Sequence, residues 1–365
     1  MNVRSPAGSA ANAGGAGTKI PRTALLAPLL LLAPLVVALD RLDAAGEMTL
    51  FVLAAAALIP LSWLIGEVTD NVAVHVGPGI GGFLNATFGN APELIIAIIA
   101  VSEGLSAIVR ATLVGSIAGN LLLVLGFTLL LGRAGAIDRQ SAGISLAMVG
   151  FIALVALVVA VPGFHGDPDR RSLAEVSVPL AVLVLVVRVT VTRQTLRRQR
   201  QLYVATDRED ARLSLTAALV VLGGATAATA LVTETLVGTL RAFAAAAHLS
   251  EFFVAAVIVA IVGNATEHGS AVLLARRGRV KLAVEIPLAS SSQIAGLLIP
   301  LVVLISWASE PLALSFRPIE LAAMAVAAAL PALVLRTGRT TRSGGAILLL
   351  AYSAVAVAFY LAGDR

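Results

Sequence analysis

Apolar residues run along this chain in long blocks separated by short polar stretches. A helix needs about 20 mostly apolar residues to cross the hydrocarbon core of a bilayer. Eleven blocks reach that length, at about residues 23–39, 49–66, 80–102, 107–131, 142–161, 173–191, 213–233, 250–274, 281–306, 319–335 and 345–362. The pattern predicts an all-α polytopic membrane protein with about 11 transmembrane helices. Residues 1–22 are mostly Gly, Ala, Ser and Asn and predict a disordered cytoplasmic tail. They do not read as a signal peptide, because the apolar run follows too late and no cleavage site separates it from the next span.

Composition sharpens this. Hydrophobic residues make up 58% of the 365 residues and charged ones only 13%. Soluble domains have about 45–50% and about 25%, so one soluble core cannot absorb the excess. Cysteine is absent, which excludes disulfide scaffolds, thiolate metal sites, iron–sulfur clusters and cysteine nucleophiles. Aromatics are only 4%, which argues against stacking on nucleic acid. The net charge of +5 reflects arginines in loops between apolar runs, not a nucleic-acid surface.

Those arginines predict orientation, since cytoplasmic loops collect Lys and Arg. Arg193, Arg197, Arg198, Arg200, Arg208 and Arg212 fill the longest polar loop, 193–212. Arg133 and Arg139, then Arg276, Arg277, Arg279 and Lys281, then Arg336, Arg339 and Arg342 fall in alternate loops on the same side. Arg4, Lys19 and Arg22 of the tail share that side. The opposite side carries fewer: Arg41, Arg170, Arg171, Arg241, Arg317 and Arg365. The expectation is a multi-pass protein of the plasma (inner) membrane, N-terminus cytoplasmic and C-terminus external.

An internal repeat organises the spans. Phe88-Gly89-Asn90-Ala91-Pro92-Glu93 and Val262-Gly263-Asn264-Ala265-Thr266-Glu267 share Gly, Asn, Ala and Glu in order, 174 residues apart. The same offset places Ser116 on Ser290. Residues 23–48 hold a divergent first helix and its loop. Five spans then fall in 49–192, before the 193–212 loop, and five in 213–365. Five is odd, so the halves enter the membrane in opposite directions. Inverted five-helix repeats are an architecture of secondary transporters, with the ion site near the midplane.

The repeated motif carries the chemistry. An ionisable group inside a span costs several kcal/mol, on the order of 3 or more, unless it is paired or lines a polar cavity. Glu93 and Glu267 both lie inside predicted spans. On a helix, Asn90 and Glu93 share a face, as do Asn264 and Glu267. Pro92 cannot bond the carbonyl of Phe88, four residues earlier, which frees a backbone ligand. Gly89 and Gly263 weaken the helix there and permit close approach of another. The backbone of Phe88, Gly89 and Gly263 joins two carboxylates and two amides in an all-oxygen set, suited to hard cations and to Ca²⁺ first. The bland reading makes each Glu a partner in a buried polar network; two at symmetric positions beside Asn favour a site.

Longer stretches resemble a known family. Gly81-Gly82-Phe83-Leu84-Asn85-Ala86-Thr87-Phe88-Gly89-Asn90-Ala91-Pro92-Glu93-Leu94-Ile95-Ile96 resembles the first signature of the cation/proton exchanger (CAX) branch of the calcium/cation antiporters. Val262-Gly263-Asn264-Ala265-Thr266-Glu267-His268 resembles the second. The stretch 115–126, from Gly115 to Gly126, and Ser290-Ser291-Ser292-Gln293-Ile294 resemble the segments that follow. The resemblance implies Ca²⁺/H⁺ antiport by alternating access, with Glu93 and Glu267 binding cation and proton, flanked by Asn90 and Asn264. Three departures stand out. The family's acidic helix between the halves is replaced by an arginine-rich loop, Pro92 stands where a small or branched residue is usual, and Glu285 stands where an apolar one is.

Secondary candidates for the ion path or its gates are His268, Ser116, Asn120, Ser290 and Gln293. His268 follows Glu267, and imidazole as a side-chain type suits a proton relay; it points about 100° away from Glu267 on a helix, which suits a structural role equally. Asn120 and Gln293 follow the two motif spans in parallel. Glu67, Asp70 and His75 at one membrane face, and Glu103 and Glu251 at the other, read as solvated caps or gate carboxylates. Gly115 and Gly119 form a GxxxG pair suited to helix packing. The expected substrates are Ca²⁺ and protons in a lipid bilayer, with no cofactor, no nucleic-acid partner and no enzymatic activity. The alternatives are a Na⁺ or K⁺/H⁺ antiporter, a Na⁺-driven Ca²⁺ exchanger and, from another class, a cation channel. The histidines His75, His165, His248 and His268 form no HExxH, and no phosphate-binding GxxxxGK[ST] loop occurs.

Overall fold

The computed structural model describes residues 27–77, 81, 84, 87–164, 171–200 and 213–364. The tail, His165, Arg170, Arg365, residues 201–212 of the arginine-rich loop and Gly82, Phe83, Asn85 and Ala86 of the first signature lie outside the described residues. The helices are α1 (Leu32–Arg41), α2 (Glu47–Val76), α3 (Ala91–Ser102), α4 (Ser106–Leu131), α5 (Arg139–Gly163) and α6 (Arg171–Arg200). They continue with α7 (Leu215–Ala246), α8 (Glu251–Gly263), α9 (Ala265–Arg276), α10 (Val280–Ala308), α11 (Pro318–Leu335) and α12 (Arg342–Ala362). Among the described residues β pairing is limited to one bridge, Ala136 to Arg339.

Eight of these helices are long and apolar enough to cross a membrane, or nine when the bent pair α8–α9 is one span. The chain is therefore a multi-pass helical membrane protein. The described part of α1 and the 12-residue α3 are shorter than that criterion, so the expected 11 spans are not all separately visible. Helix ends also shift: α2 runs to Val76 and α7 to Ala246, beyond where their apolar runs stop. The polar ends continue the helices, so Glu67, Asp70 and His75 sit inside α2. Side-chain caps fix several starts, with Asp138 accepting from the Gln140 and Ser141 amides, Ser214 from Ala217 and Thr341 from Gly344.

Depth of burial identifies the centre. The apolar window of α4 is 83% buried and that of α10 is 67%, against 22% for α6 and for α12. The outer faces of α6 and α12 present Val182, Leu183, Val186, Leu350, Val357 and Leu361, an apolar surface suited to lipid.

The 174-residue offset appears in the backbone. α3 and α9 each have 12 residues and start and stop at that offset. Each is followed by a glycine in the left-handed region, Gly104 at φ +74° and Gly278 at φ +79°, where a Cβ would be strained. α4 and α10 begin at the same offset. Each opens a π-helical turn near its middle, Gly119–Val124 and Ile294–Leu298. A third π turn, Val254–Val259, lies in α8. Such turns expose backbone groups and concentrate at functional sites.

Candidate ion-binding site

The two motifs do not lie in continuous helices. Asn90 (φ −112°, ψ 27°) and Asn264 (φ −94°, ψ 7°) have left the helical region and stand immediately before α3 and α9. The second break bends its helix pair by 57°. Each asparagine carbonyl still accepts the first helical bond, from Leu94 at 3.1 Å and from His268 at 3.0 Å. This corrects the expectation of one helical face carrying Asn and Glu. It also changes the role of Pro92, which occupies the first turn of α3, where a missing N–H costs nothing; it does not free the Phe88 carbonyl from within a helix. Glu93 and Glu267 fall in the first turns, where the helix dipole favours negative charge.

Asn-x-x-Glu at a helix start has the spacing of a capping box. Neither asparagine side chain caps its own helix. Both reach across the molecule instead. Asn90 Nδ2 donates to Gln293 Oε1 at 2.6 Å, and Ser290 Oγ donates to Asn90 Oδ1 at 3.2 Å. Asn264 Nδ2 donates to Ser116 Oγ and to the Ala260 carbonyl, both at 3.0 Å. Asn120 Nδ2 bridges the halves, donating to Asn264 Oδ1 at 3.1 Å and to Ser290 Oγ at 3.0 Å. Every one of these side chains except Gln293 is buried.

The carboxylates border this network. Glu93 is 2% exposed and reaches Gly263, where an added Cβ would stand 3.3 Å from its Oε1. The close approach expected at Gly263 is thus an approach by a carboxylate from the other half. Glu267 lies within Coulombic reach of Glu93 and within hydrogen-bonding reach of Ser290. The Ser290 hydroxyl has one proton for two acceptors, Asn90 Oδ1 and Glu267. Oε2 of Glu93 and Oε2 of Glu267 are both buried without a partner. Leaving a buried acceptor unsatisfied costs about 1–3 kcal/mol, more when it is charged, so this pocket favours a cation or a proton beside each oxygen.

Of the predicted residues, the structure brings together Asn90, Glu93, Ser116, Asn120, Gly263, Asn264, Glu267, Ser290 and Gln293. Phe88 turns its side chain to an apolar groove of about 500 Å³ with Ile95, Leu219 and Leu222. Gly89 lies in the turn before α3. His268 Nε2 is buried without a hydrogen-bond partner. Gly115 does pack tightly, since a Cβ there would overlap the Ala256 carbonyl on α8, whereas Gly119 faces open space; the GxxxG reading holds at one glycine only. Glu285, half-buried on α10, lies within electrostatic reach of Lys281 and Asp138. Sequence reasoning missed Arg188, whose Nη1 donates to Ser292 Oγ at 2.8 Å. The one signal for it in the sequence is a charge inside the apolar run 173–191, which run-averaged hydropathy hides.

The comparisons agree with this architecture. The family model for the sodium/calcium exchanger protein matches residues 47–193 and 217–361. A "Ca(2+)/H(+) antiporter" of Synechocystis sp. is 35% identical over 86% of this chain and 91% of its own. The "Ca(2+)/H(+) antiporter ChaA" of Bacillus subtilis is 34% identical over 86% of this chain and 92% of its own. The solved structure "Structure of native YfkE" superposes with a TM-score of 0.78 at 32% identity, over 92% of this chain and 99% of that one. With both halves matched by one family model, and with a broken, asparagine-marked helix in each, the chain belongs to the sodium/calcium exchanger protein family.

Proposed function

We propose that this protein exchanges Ca²⁺ for protons by alternating access, and that Glu93 and Glu267 bind the two competitively near the membrane midplane. The observation that carries this reading is the pair of buried, unpartnered Oε2 atoms on helices broken at Asn90 and Asn264. One Ca²⁺ or two protons neutralise the pair; the empty, doubly ionised pair is costly to move through a low-dielectric region. That difference couples the fluxes. The positive ends of α3 and α9 meet here, as expected of discontinuous helices in transporters. Asn90, Asn264 and Ser290 supply neutral oxygens with a lone pair to spare, and Asn120, Ser116 and Gln293 orient them. The relatives' names favour protons as the counter-ion.

On the same reading the halves 49–192 and 213–365 are inverted repeats, with the N-terminus cytoplasmic and the C-terminus external. The experiment is uptake into proteoliposomes under an imposed pH gradient, with Ca²⁺, Mn²⁺, Na⁺ and K⁺ side by side. Ca²⁺ uptake that requires the gradient, with matching proton movement, supports exchange. Ca²⁺ flux that ignores the gradient and follows voltage alone identifies a channel. Uptake that needs Na⁺ instead identifies a sodium-driven exchanger.

A further inference from the structure

Two arginines, Arg110 and Arg188, fall within the apolar runs of the sequence, each one turn from a run's end. Arg110 is fully buried between Ser106 and the Ala313 carbonyl, near the start of α4. Arg188 is different. It lies 17 residues into α6, near the end of the apolar stretch of that helix, and it turns inward to α10. Among the described residues its one hydrogen-bond partner is the Ser292 hydroxyl at 2.8 Å, and no carboxylate pairs with it. A charge held in a span without a counter-ion is costly, and a methionine would fill the same space without that cost. What the charge gives in return is a strong, charge-assisted bond to one named atom.

That atom lies on the back of the candidate site. Ser290 and Gln293 face Asn90, Asn120 and Glu267. Ser292, two positions from Ser290, points about 200° away round the helix, toward α6. One turn further on, at Gly296, an added Cβ would stand 3.0 Å from Arg188 Cδ and 3.0 Å from Met148 Cγ and Sδ. The arginine stem therefore lies in a notch that glycine leaves on α10, within the π turn Ile294–Leu298. The π turn interrupts the regular helical ladder just after Gln293. A side-chain bond from α6 to Ser292 adds an outside hold on the turn that carries Ser290 and Gln293. We infer that Arg188 is a positioning residue for cation binding: through Ser292 it holds α10 in the rotation that turns Ser290 and Gln293 into the site. The inference rests on the proposed site and names a residue outside both repeated motifs.

A double-mutant cycle in the full-length protein tests it, using Arg188→Met, Ser292→Ala and the pair, with Arg188→Lys as the conservative variant. Ca²⁺ affinity is measured on purified protein, and maximal exchange rate in proteoliposomes. Each single change is expected to weaken Ca²⁺ binding about three- to tenfold, the share of one hydrogen bond. The double variant should bind no more weakly than the weaker single, and Lys should restore most of the affinity. Maximal rate at saturating Ca²⁺ should stay within about twofold, because the ligands themselves are intact. Additive losses, or wild-type affinity in either single variant, would overturn the inference. Should Arg188→Met fail to fold, Ser292→Ala decides alone, and wild-type affinity there is again fatal. A wild type that moves Mn²⁺, Na⁺ or K⁺ but no Ca²⁺ sinks the Ca²⁺ reading only; the same cycle run with that ion still judges Arg188.

Discussion

The segment from Asn90 to α4 and the segment from Asn264 to α10 are two solutions to one backbone problem. Both break a helix at Asn, restart it with a carboxylate in the first turn, end it 12 residues later and turn on a left-handed glycine. Their surroundings differ. Glu93 is buried, with Pro92 before it and Leu94 after; Glu267 is half-buried, between Thr266 and His268. The supports of the central helices differ more. α12 meets α4 by backbone, with a Cβ on Gly345 only 2.7 Å from the Gly126 carbonyl. α6 packs along α10 and adds the Arg188–Ser292 bond. What recurs is the geometry that presents oxygen; what varies is how each wall is held. A repeat under selection for a site therefore shows its identity in the residues at the break and loses it in the scaffold behind.

The largest expected effect treats the two carboxylates as equals. Glu93→Gln and Glu267→Gln keep shape and remove the charge that a divalent ion needs. Each should cut Ca²⁺ exchange at least about 100-fold, beyond the about 10–100-fold lost when an outer partner of a metal ligand is removed. Substantial transport by one variant would show that the halves have diverged in function as well as in packing. The second prediction concerns sidedness. Single cysteines at Ser102 and Arg277, beside the two left-handed glycines, should label from opposite faces of the membrane, Ser102 from outside and Arg277 from the cytoplasm. The wild type has no cysteine, so the signal is clean. Labelling from one face would end the inverted-repeat reading.

Much of this was legible before any coordinates. Apolar run length marked the membrane helices because lipid leaves the backbone no other partner. The motif pair marked the candidate site because intramembrane Glu is expensive. The breaks at Asn90 and Asn264 were not legible. Asn-x-x-Glu fits a helix interior and a helix start equally, and tertiary contacts with Gln293 and Ser116 decide between them. The chain of hydrogen bonds through Asn120 and Ser290 depends on helices far apart in sequence, and the offset alone gave Ser116 and Ser290. Arg188 was hidden by its surroundings, since an averaged apolar run absorbs one charge.

The third prediction is graded. Protons and Ca²⁺ that share one carboxylate pair must compete. Protonation removes the negative charge, so Ca²⁺ affinity falls as pH falls, by about tenfold per pH unit for each proton that the ion displaces. The steps belong to the pair and not to either residue. Binding measured on purified protein from mildly acidic to alkaline pH checks this. An affinity independent of pH would remove shared-site competition and favour sodium coupling.

The smallest effect probes the corner of the second half where α12 ends beside the start of α8. Asp364, just past α12, accepts from the backbone amides of Glu251 at 3.2 Å and Phe252 at 2.9 Å, capping the start of α8 beside its local cap Ser250. Arg317 fastens the same corner, donating to the Gly363 carbonyl at 2.8 Å and the Ala362 carbonyl at 3.2 Å. Its guanidinium also lies 4.5 Å from the centre of the Phe252 ring. At the same offset the first half has Thr190, inside α6, with its hydroxyl on the Val186 carbonyl. Losing one cap costs about 1 kcal/mol when another remains to hold the helix. Asp364→Ala should therefore lower thermal stability slightly and leave exchange near the wild-type rate. Arg317→Ala removes two bonds and a ring contact worth about 0.5–1 kcal/mol, so it should lower stability more. α8 carries Gly263 and leads into Asn264, so a loosened outer end lies 12 residues from the break. If Asp364→Ala lowered the exchange rate more than it lowered stability, that corner would belong to the transport cycle, and the two halves would differ in mechanism and not only in support.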